Sequence, residues 1–294
     1  MEKNITLALG GGGSKGNVHI GVLRRLEQEG FKIRAVAGTS FGGLIAAFYA
    51  LGYTPDEIEE MFANFYQSSW YGRLSRGEPS FIGFAGVVKW LEVHIGSRTF
   101  ADVKIPYTVT AVDLNSGRQI NLSEGSLLYS ILATIAVPGI FPAQRIGEWE
   151  LVDGGTLDPV PVAPARALAP KLPVVAVSLN MPIGETAQSR TIPGVDAVPH
   201  SIAKRLSRSR YARAMDVVLR SVDIMMRAVA EYRLAIDKPD VIIRPKVADI
   251  EILARVDVSE VVKRGEAAVD EVLPELKQLF AWHNRAARSL KFWG

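Results

Sequence analysis

Apolar residues in the first fifty positions follow a pattern that repeats once. Residues 5–9 are a short, partly β-branched apolar run that ends at four consecutive glycines, and residues 18–29 then carry apolar side chains at helical spacing. Residues 33–37 form a second apolar run, which passes through another glycine-rich loop into an apolar helix that ends near Gly52. The pattern predicts two successive strand–loop–helix units, each with a glycine loop at the end of its strand.

The rest of the chain continues to alternate between the two kinds of element. We predict helices over 54–65, 126–136 and 214–236, a hairpin over 107–122 that turns at 115–117, strands over 172–179 and 241–245, and C-terminal helices over 259–292. Strands that alternate with helices predict an α/β fold of three layers around a mostly parallel central sheet. We expect one domain over residues 1–294, with a motif-bearing core at about 5–180 and a flap and helical region at about 181–294.

The composition excludes several kinds of chemistry and partner. The chain has 294 residues, no cysteine and four histidines, so disulfides, thiolate nucleophiles and cysteine-bound metals are impossible. Its net charge is only +3, which does not predict a nucleic-acid-binding surface. The apolar run at 5–9 is too short for a signal peptide, and residues 127–143 contain two prolines and make a poor transmembrane helix. We therefore expect a cytoplasmic protein.

The first glycine loop, residues 11–16 (GGGSKG), formally matches the G-x-G-x-x-G pattern of dinucleotide-binding proteins. That interpretation requires an acidic residue at the end of the second strand, where this chain has Gly38-Thr39-Ser40. A P-loop is excluded as well, because no glycine directly precedes a Lys-Ser or Lys-Thr pair. The remaining interpretation is that backbone amides at the start of a helix form a site for a negatively charged group.

The second glycine loop contains Gly38-Thr39-Ser40-Phe41-Gly42, which matches G-x-S-x-G. The match falls at a predicted strand-to-helix turn, which is the place that a nucleophile elbow requires. The following helix would direct its positive end toward an oxyanion formed at Ser40. The alternative is an ordinary glycine-rich turn in which the Ser40 side chain caps the helix.

A serine nucleophile needs a base, and none of the four histidines follows a late strand as a Ser-Asp-His triad would require. His19 lies inside the first predicted helix, His94 in an aromatic-rich region, and His200 and His283 in the C-terminal third. A carboxylate is better placed: residues 150–155 (ELVDGG) form a short strand that ends at Asp153 and two glycines. The alternative for this segment is a simple Asp-Gly turn.

Four ordered blocks together resemble the patatin-like phospholipases, over roughly residues 5–180. The blocks are a G-G-G-x-[K/R]-G loop, the G-x-S-x-G elbow, an A-T-I-A-V-P-G-I-F-P segment at 133–142 and a D-G-G turn. In this chain the loop comprises Gly11, Gly12, Gly13, Ser14, Lys15 and Gly16, the elbow contains Gly38, Ser40 and Gly42, and the turn is Asp153, Gly154 and Gly155. The chain is most similar to the compact bacterial members of the family.

The resemblance implies a catalytic dyad in which Ser40 is the nucleophile and Asp153 accepts its proton. It also implies an oxyanion hole made by the amides of Gly12 and Gly13, with Ser14 nearby. Lys15 would anchor that loop or be a solvated loop residue. Two positions depart from the family pattern: Thr134 replaces a more common serine, and Asp158 replaces a more common asparagine. A second carboxylate there would either raise the pKa of Asp153 or cap the turn at Pro159.

The resemblance further implies hydrolysis of lipid acyl esters, of phospholipase A or lysophospholipase type, with no cofactor and no metal. Alternatives are an acyltransferase or thioesterase that uses the same dyad, and a non-catalytic lipid-binding module. A basic, aromatic stretch at 276–293 could form a helix that contacts a membrane surface, or a helix that packs on its own domain. Residues that could line an acyl channel or simply fill the core are Trp70, Tyr71, Phe81, Phe84 and Trp90.

Overall fold

The computed structural model describes residues 2–65, 85–182, 184, 210–252 and 254–281. These ranges contain a mixed sheet of eight strands. The strands are β1 (Lys3–Leu9), β2 (Phe31–Thr39), β3 (Tyr107–Asp113), β4 (Gln119–Leu122), β5 (Gln144–Ile146), β6 (Trp149–Asp153), β7 (Val174–Val177) and β8 (Val241–Ile243). The helices are α1 (Val18–Gln28), α2 (Phe41–Ala50), α3 (Pro55–Asn64), α4 (Ala85–His94), α5 (Leu127–Thr134), α6 (Val162–Leu168), α7 (Arg210–Asp237) and α8 (Val258–Gln278).

Hydrogen-bonded strand pairs form the path β5-β6-β3-β2-β1-β7-β8, and β4 pairs with β3 outside this path. The central strands β3, β2, β1, β7 and β8 are parallel, whereas β4, β5 and β6 pair in antiparallel fashion. Helices lie on both faces: the larger apolar cluster joins the sheet to α1, α2 and α8, and a smaller one joins it to α6 and to Leu234 of α7. The predicted three-layer α/β fold with a mostly parallel sheet is confirmed.

Two strands meet end to end along one edge of β3. Thr39, the last residue of β2, pairs with Thr110, and Asp153, the last residue of β6, pairs with Ala111. Because β4 occupies the opposite edge of β3 over the same positions, β2 and β6 share an edge and run toward each other. The carboxyl ends of the two strands therefore lie side by side at the centre of the sheet.

The helix that closes the domain at its C-terminal side packs closely on the first helix. Any side chain at Gly21 of α1 would collide with the carbonyl of Val262, and any side chain at Gly265 of α8 would collide with the carbonyl of Val18. The two glycines thus allow direct contact between the helix backbones. Residues beyond the motif-bearing core therefore contribute both a strand, β8, and a helix, α8, to the packed structure.

The predicted C-terminal amphipathic helix is described only up to residue 281. In that part the apolar side chains face the protein itself: Leu276 and Leu279 are buried, and the ring of Phe280 lies 5.9 Å from that of Phe31. These residues therefore support packing on the domain over contact with a membrane. Residues 282–293 lie outside the described part of the chain.

Candidate active site

Ser40 occupies a sharp turn between β2 and α2, with φ 53° and ψ −130°. A positive φ is strained for a residue with a side chain, and strain of this kind is common at functional sites. Glycine is needed on either side: a side chain at Gly42 would collide with the carbonyls of Leu9 and Gly10, and one at Gly38 with the backbone of Gly43. The turn has the geometry that the G-x-S-x-G pattern predicts.

The side chain of Ser40 does not cap the helix that follows it. Its hydroxyl donates instead to Oδ2 of Asp153 at 2.5 Å. The two residues are 113 positions apart in the chain. The two side chains are nearly buried, with 7% of Ser40 and 4% of Asp153 exposed. The two side chains are brought together because β2 and β6 end at adjacent positions on β3. Because the Ser40 hydroxyl bonds to Asp153 and makes no cap, the helix-cap alternative for Ser40 is wrong.

Asp153 is held in a fixed orientation by a second hydrogen bond. The backbone N–H of Gly155 donates to its Oδ1 at 2.7 Å, so one carboxylate oxygen is fixed and the other faces Ser40. Burial raises the pKa of Asp153 to about 6, although the hydrogen bonds from Ser40 and Gly155 act in the opposite direction. A carboxylate with that pKa is ionised at neutral pH and is still basic enough to accept a proton.

The first glycine loop lies beside this pair. A Cβ atom on Gly11 would be only 3.0 Å from Cβ of Ser40. The N–H groups of Gly10 and Gly11 donate to Val177 and Pro159, and that of Ser14 donates to Ile252 at 2.8 Å. Between these anchored positions, the N–H groups of Gly12 and Gly13 have no acceptor among the described residues.

The loop therefore differs from the sequence-based expectation at one position. Gly12, Gly13 and Ser14 are all partly exposed, but the amide of Ser14 is already bonded within the protein. The two glycine amides remain available to a ligand, whereas Ser14 attaches the loop to the segment that precedes α8. Lys15 lies near Asp249, whose pKa is lowered mainly by hydrogen bonds from Arg264 and to a smaller extent by Lys15. That location supports an anchoring role for the lysine.

Neither of the two described histidines contacts Ser40 through a hydrogen bond. His19 is fully buried and donates from Nε2 to the carbonyl of Gly10 at 2.8 Å. Burial lowers its pKa to about 4, so it is neutral and supports the base of the glycine loop. His94 bonds through Nδ1 to the carbonyl of Trp90 and packs on that ring. His200 and His283 lie outside the described residues.

A threonine network behind the turn was not predicted from the sequence. The hydroxyl of Thr134 accepts the N–H of Ser40 at 2.8 Å and donates to the carbonyl of Thr110 at 2.7 Å. The hydroxyl of Thr39 bonds to that of Thr110 and donates to the carbonyl of Asp158. Thr134 thus provides the acceptor for the buried N–H of Ser40. A serine at position 134 has the same hydroxyl and could provide the same acceptor.

Asp158 takes neither of the two roles expected from the sequence. Its side chain is fully buried, and Oδ2 accepts hydrogen bonds from Gln119 at 2.9 Å and from Arg233 of α7 at 3.3 Å. Burial raises the pKa of Asp158, and the charge of Arg233 opposes the rise. The pKa of Asp153 is set by its own burial, Ser40 and Gly155. Asp158 therefore anchors α7 beside the site.

Among the aromatic residues for which the sequence leaves open an acyl channel or the core, Trp90 is buried in the core. Its ring lies 4.9 to 5.4 Å from the rings of Phe48, Phe62 and Phe65. Trp90 therefore follows the core-packing alternative. The other four lie outside the described part of the chain: Trp70, Tyr71, Phe81 and Phe84.

Comparison with known proteins identifies the family. The model of the patatin-like phospholipase family matches residues 7–166, which include every motif block from Gly11 to Gly155. The chain belongs to the patatin-like phospholipase family. An uncharacterized NTE family protein of Mycobacterium tuberculosis H37Rv is 33% identical over 210 residues, covering 69% of this patatin-like chain and 55% of that protein.

Two further matches extend over nearly the whole patatin-like chain. Lysophospholipase NTE1 of Debaryomyces hansenii is 28% identical over 286 residues, which are 94% of this chain and 18% of that protein. The structure of VipD from Legionella pneumophila superposes with a TM-score of 0.58 at 12% identity, covering 94% of this chain and 67% of VipD. The chain spans about half the length of the mycobacterial relatives and a smaller part of the yeast protein.

Proposed function

We propose that this protein hydrolyses acyl esters of lipids, of phospholipase A or lysophospholipase type, with Ser40 as nucleophile and Asp153 as base. The observation that carries the proposal is the 2.5 Å hydrogen bond from Ser40 Oγ to Asp153 Oδ2 at a strained strand-to-helix turn. The lipid substrate class is supported by the family and by the name of the yeast relative, lysophospholipase NTE1. No helix in the described ranges is both long and apolar enough to cross a membrane.

The reaction would begin when Ser40 Oγ attacks the ester carbonyl carbon and its proton passes to Asp153 Oδ2. The tetrahedral oxyanion would be stabilised by the amides of Gly12 and Gly13, which point to no other described acceptor. Collapse of the intermediate would break the ester bond, and the leaving alcohol would take the proton from Asp153. Water would then attack acyl-Ser40, again giving a proton to Asp153, and release of the fatty acid would return that proton to Ser40.

Two features favour this proton transfer at neutral pH. The pKa of Asp153 near 6 lies close to neutral pH, and a general base is most effective when its pKa is near the pH at which it acts. Its second oxygen is held by the Gly155 amide, so the carboxylate keeps its orientation toward Ser40 throughout the cycle. The neutral, buried His19 supports the loop without taking part in the proton transfer.

The test is covalent labelling with a fluorophosphonate, combined with hydrolysis of a soluble short-chain ester. We expect wild-type protein to label at Ser40, and Ser40→Ala to lose both labelling and hydrolysis. Asp153→Asn should lower hydrolysis by at least about a thousandfold, because the base contributes to both halves of the reaction. The exposed Ser123→Ala and Asp270→Asn are matched controls that should keep wild-type rates.

Four outcomes would contradict the proposal or change it. Full hydrolysis by Asp153→Asn would show that the base is another group. An absence of labelling in correctly folded wild-type protein would favour the non-catalytic lipid-binding alternative. Adding a competing alcohol separates hydrolysis from acyl transfer, because a transferase would form the new ester in place of free fatty acid, and thioester substrates test the thioesterase alternative.

A further inference from the structure

Helix α7 carries an unusual set of exposed apolar side chains. Ten large apolar side chains are exposed among the described residues, and half of them lie on this one helix. They are between 57% and 70% exposed, and they are Val217, Ile224, Met225, Tyr232 and Ile236. Single exposed apolar residues are common on protein surfaces, but a group of five on one helix indicates a contact surface.

The five side chains form one continuous stripe. At 100° per residue their positions fall within an arc of about 120°, and from Val217 to Ile236 the stripe is about 28 Å long. Small residues at 228 and 235 lie within the same arc. We call this surface the α7 stripe. The sequence predicts an apolar face on this helix, and the structure shows that much of that face is turned outward.

The opposite face of α7 contacts the candidate active site. The methyl group of Met226 lies against Gly155, only 3.0 Å from where a Cβ of that glycine would be. One turn further along, Ala230 and Leu234 are buried, and Arg233 bonds to Asp158. The helix therefore separates the Asp153-Gly154-Gly155 turn from the outer surface by only its own diameter, about 10 Å.

The charge of the neighbouring sequence indicates what the stripe contacts. Residues 200–213 contain five lysine and arginine residues and no acidic residue, and the last two, Arg210 and Arg213, fall in the first turn of α7. An apolar stripe on a helix that directly follows a basic stretch of sequence is suited to lie flat on an anionic lipid surface. A protein partner would need a complementary acidic groove, whereas lipid headgroups supply the negative charge and the acyl region the apolar medium.

We propose that the α7 stripe docks this protein on the surface of an anionic lipid membrane, with the candidate active site directly behind the docked helix. The proposal rests on the proposed function, since a lipid hydrolase must reach its substrate at such a surface. The helix lies in the surface plane, so that Val217, Ile224, Met225, Tyr232 and Ile236 enter the apolar boundary. Met226 and Arg233 keep the inner face attached to the protein.

The test compares two double variants that add the same negative charge at different places. Ile224→Glu with Ile236→Glu alters the stripe, and Val93→Glu with Leu114→Glu alters exposed apolar residues elsewhere. Both are made in the Ser40→Ala protein and measured by flotation with vesicles of phosphatidylcholine alone or mixed with phosphatidylglycerol. We expect the parent and the control to float with the mixed vesicles, and the stripe variant to bind at least about tenfold more weakly.

A second measurement uses the same pairs of substitutions in the Ser40-containing protein. We expect the stripe variant to hydrolyse a soluble short-chain ester within about twofold of wild type while its hydrolysis of vesicle lipid falls with its binding. The proposal is overturned if stripe and control variants bind vesicles equally, or if the parent binds neither kind of vesicle. A third result would also overturn it: light scattering shows that the parent is a dimer and the stripe variant a monomer, while the two bind vesicles equally. The partner on the α7 stripe would then be a second copy of this chain.

The docking surface and the proposed function can fail separately. Vesicle binding is measured in a protein without the nucleophile, so it does not depend on catalysis. Selective loss of binding in the stripe variant would support docking even if wild-type protein hydrolysed no ester. Conversely, hydrolysis of soluble esters by every variant with equal vesicle binding would support the proposed chemistry and refute the docking surface.

Discussion

The buried carboxylate of Asp153 should make the protein less stable at neutral pH than it would be without that charge. Burial raises the pKa of this group from 3.8 to about 6. One pKa unit corresponds to about 1.4 kcal/mol, so the ionised side chain lowers the free energy of unfolding by about 3 kcal/mol. Asp153→Asn should remove most of this effect, because an amide can still accept from Gly155 and can donate to Ser40.

The sign of the effect gives it a characteristic dependence on pH. Below pH 3.8 the carboxyl is protonated in both the folded and unfolded chain, so the group does not lower stability. Between pH 3.8 and the folded-state pKa near 6, the unfolded chain has lost this proton while the folded chain still holds it, so stability falls as pH rises through this range and levels off above it. The stability difference between Asp153→Asn and wild type should therefore be small in acid and reach its full size above about pH 7.

Urea unfolding at about pH 4 and about pH 8 measures this difference. We expect Asp153→Asn to be more stable than wild type by about 2 to 3 kcal/mol at the higher pH, while it loses hydrolysis. The exposed Asp270→Asn should change stability by less than about 1 kcal/mol at either pH. A difference that is independent of pH, or a variant less stable than wild type at pH 8, would refute the reasoning about burial of the charge.

Three further predictions concern the same region. The rate constant kcat/KM for a soluble ester should rise from acid to a plateau with a midpoint near pH 6, the pKa of Asp153, and a flat profile over this range would argue against it as the base. Thr134→Val should destabilise the protein by about 2 kcal/mol in urea unfolding and slow hydrolysis, because the buried Ser40 amide loses its acceptor, whereas Thr134→Ser should restore both. Arg233→Leu should destabilise the protein by about 3 kcal/mol at neutral pH and by less in acid, where Asp158 is protonated; equal destabilisation at both pH values would contradict the ion-pair account.

Local sequence was sufficient to predict the principal elements and the residues that the structure brings together at the turn. An apolar run followed by glycines specifies a buried strand and a tight loop, and the close contacts around Gly38 and Gly42 show why no other residue fits there. The glycine patterns thus marked Ser40 and Asp153 as candidates, and the resemblance to the patatin-like phospholipases assigned their roles. Short elements with weak patterns, such as β5 and α6, were not predicted, because three to seven residues carry too little periodicity.

Tertiary structure decided what depends on residues that are distant in the chain. The sequence left open whether Ser40 caps a helix, and the meeting of β2 and β6 on one edge of β3 placed its hydroxyl on Asp153 instead. The sequence also did not reveal a partner for Asp158. In the structure that partner is Arg233 of α7, which is 75 positions away in the chain. An amphipathic pattern shows that a helix has an apolar face, but only the packing of its opposite face determines whether that face is buried or, as in α7, exposed.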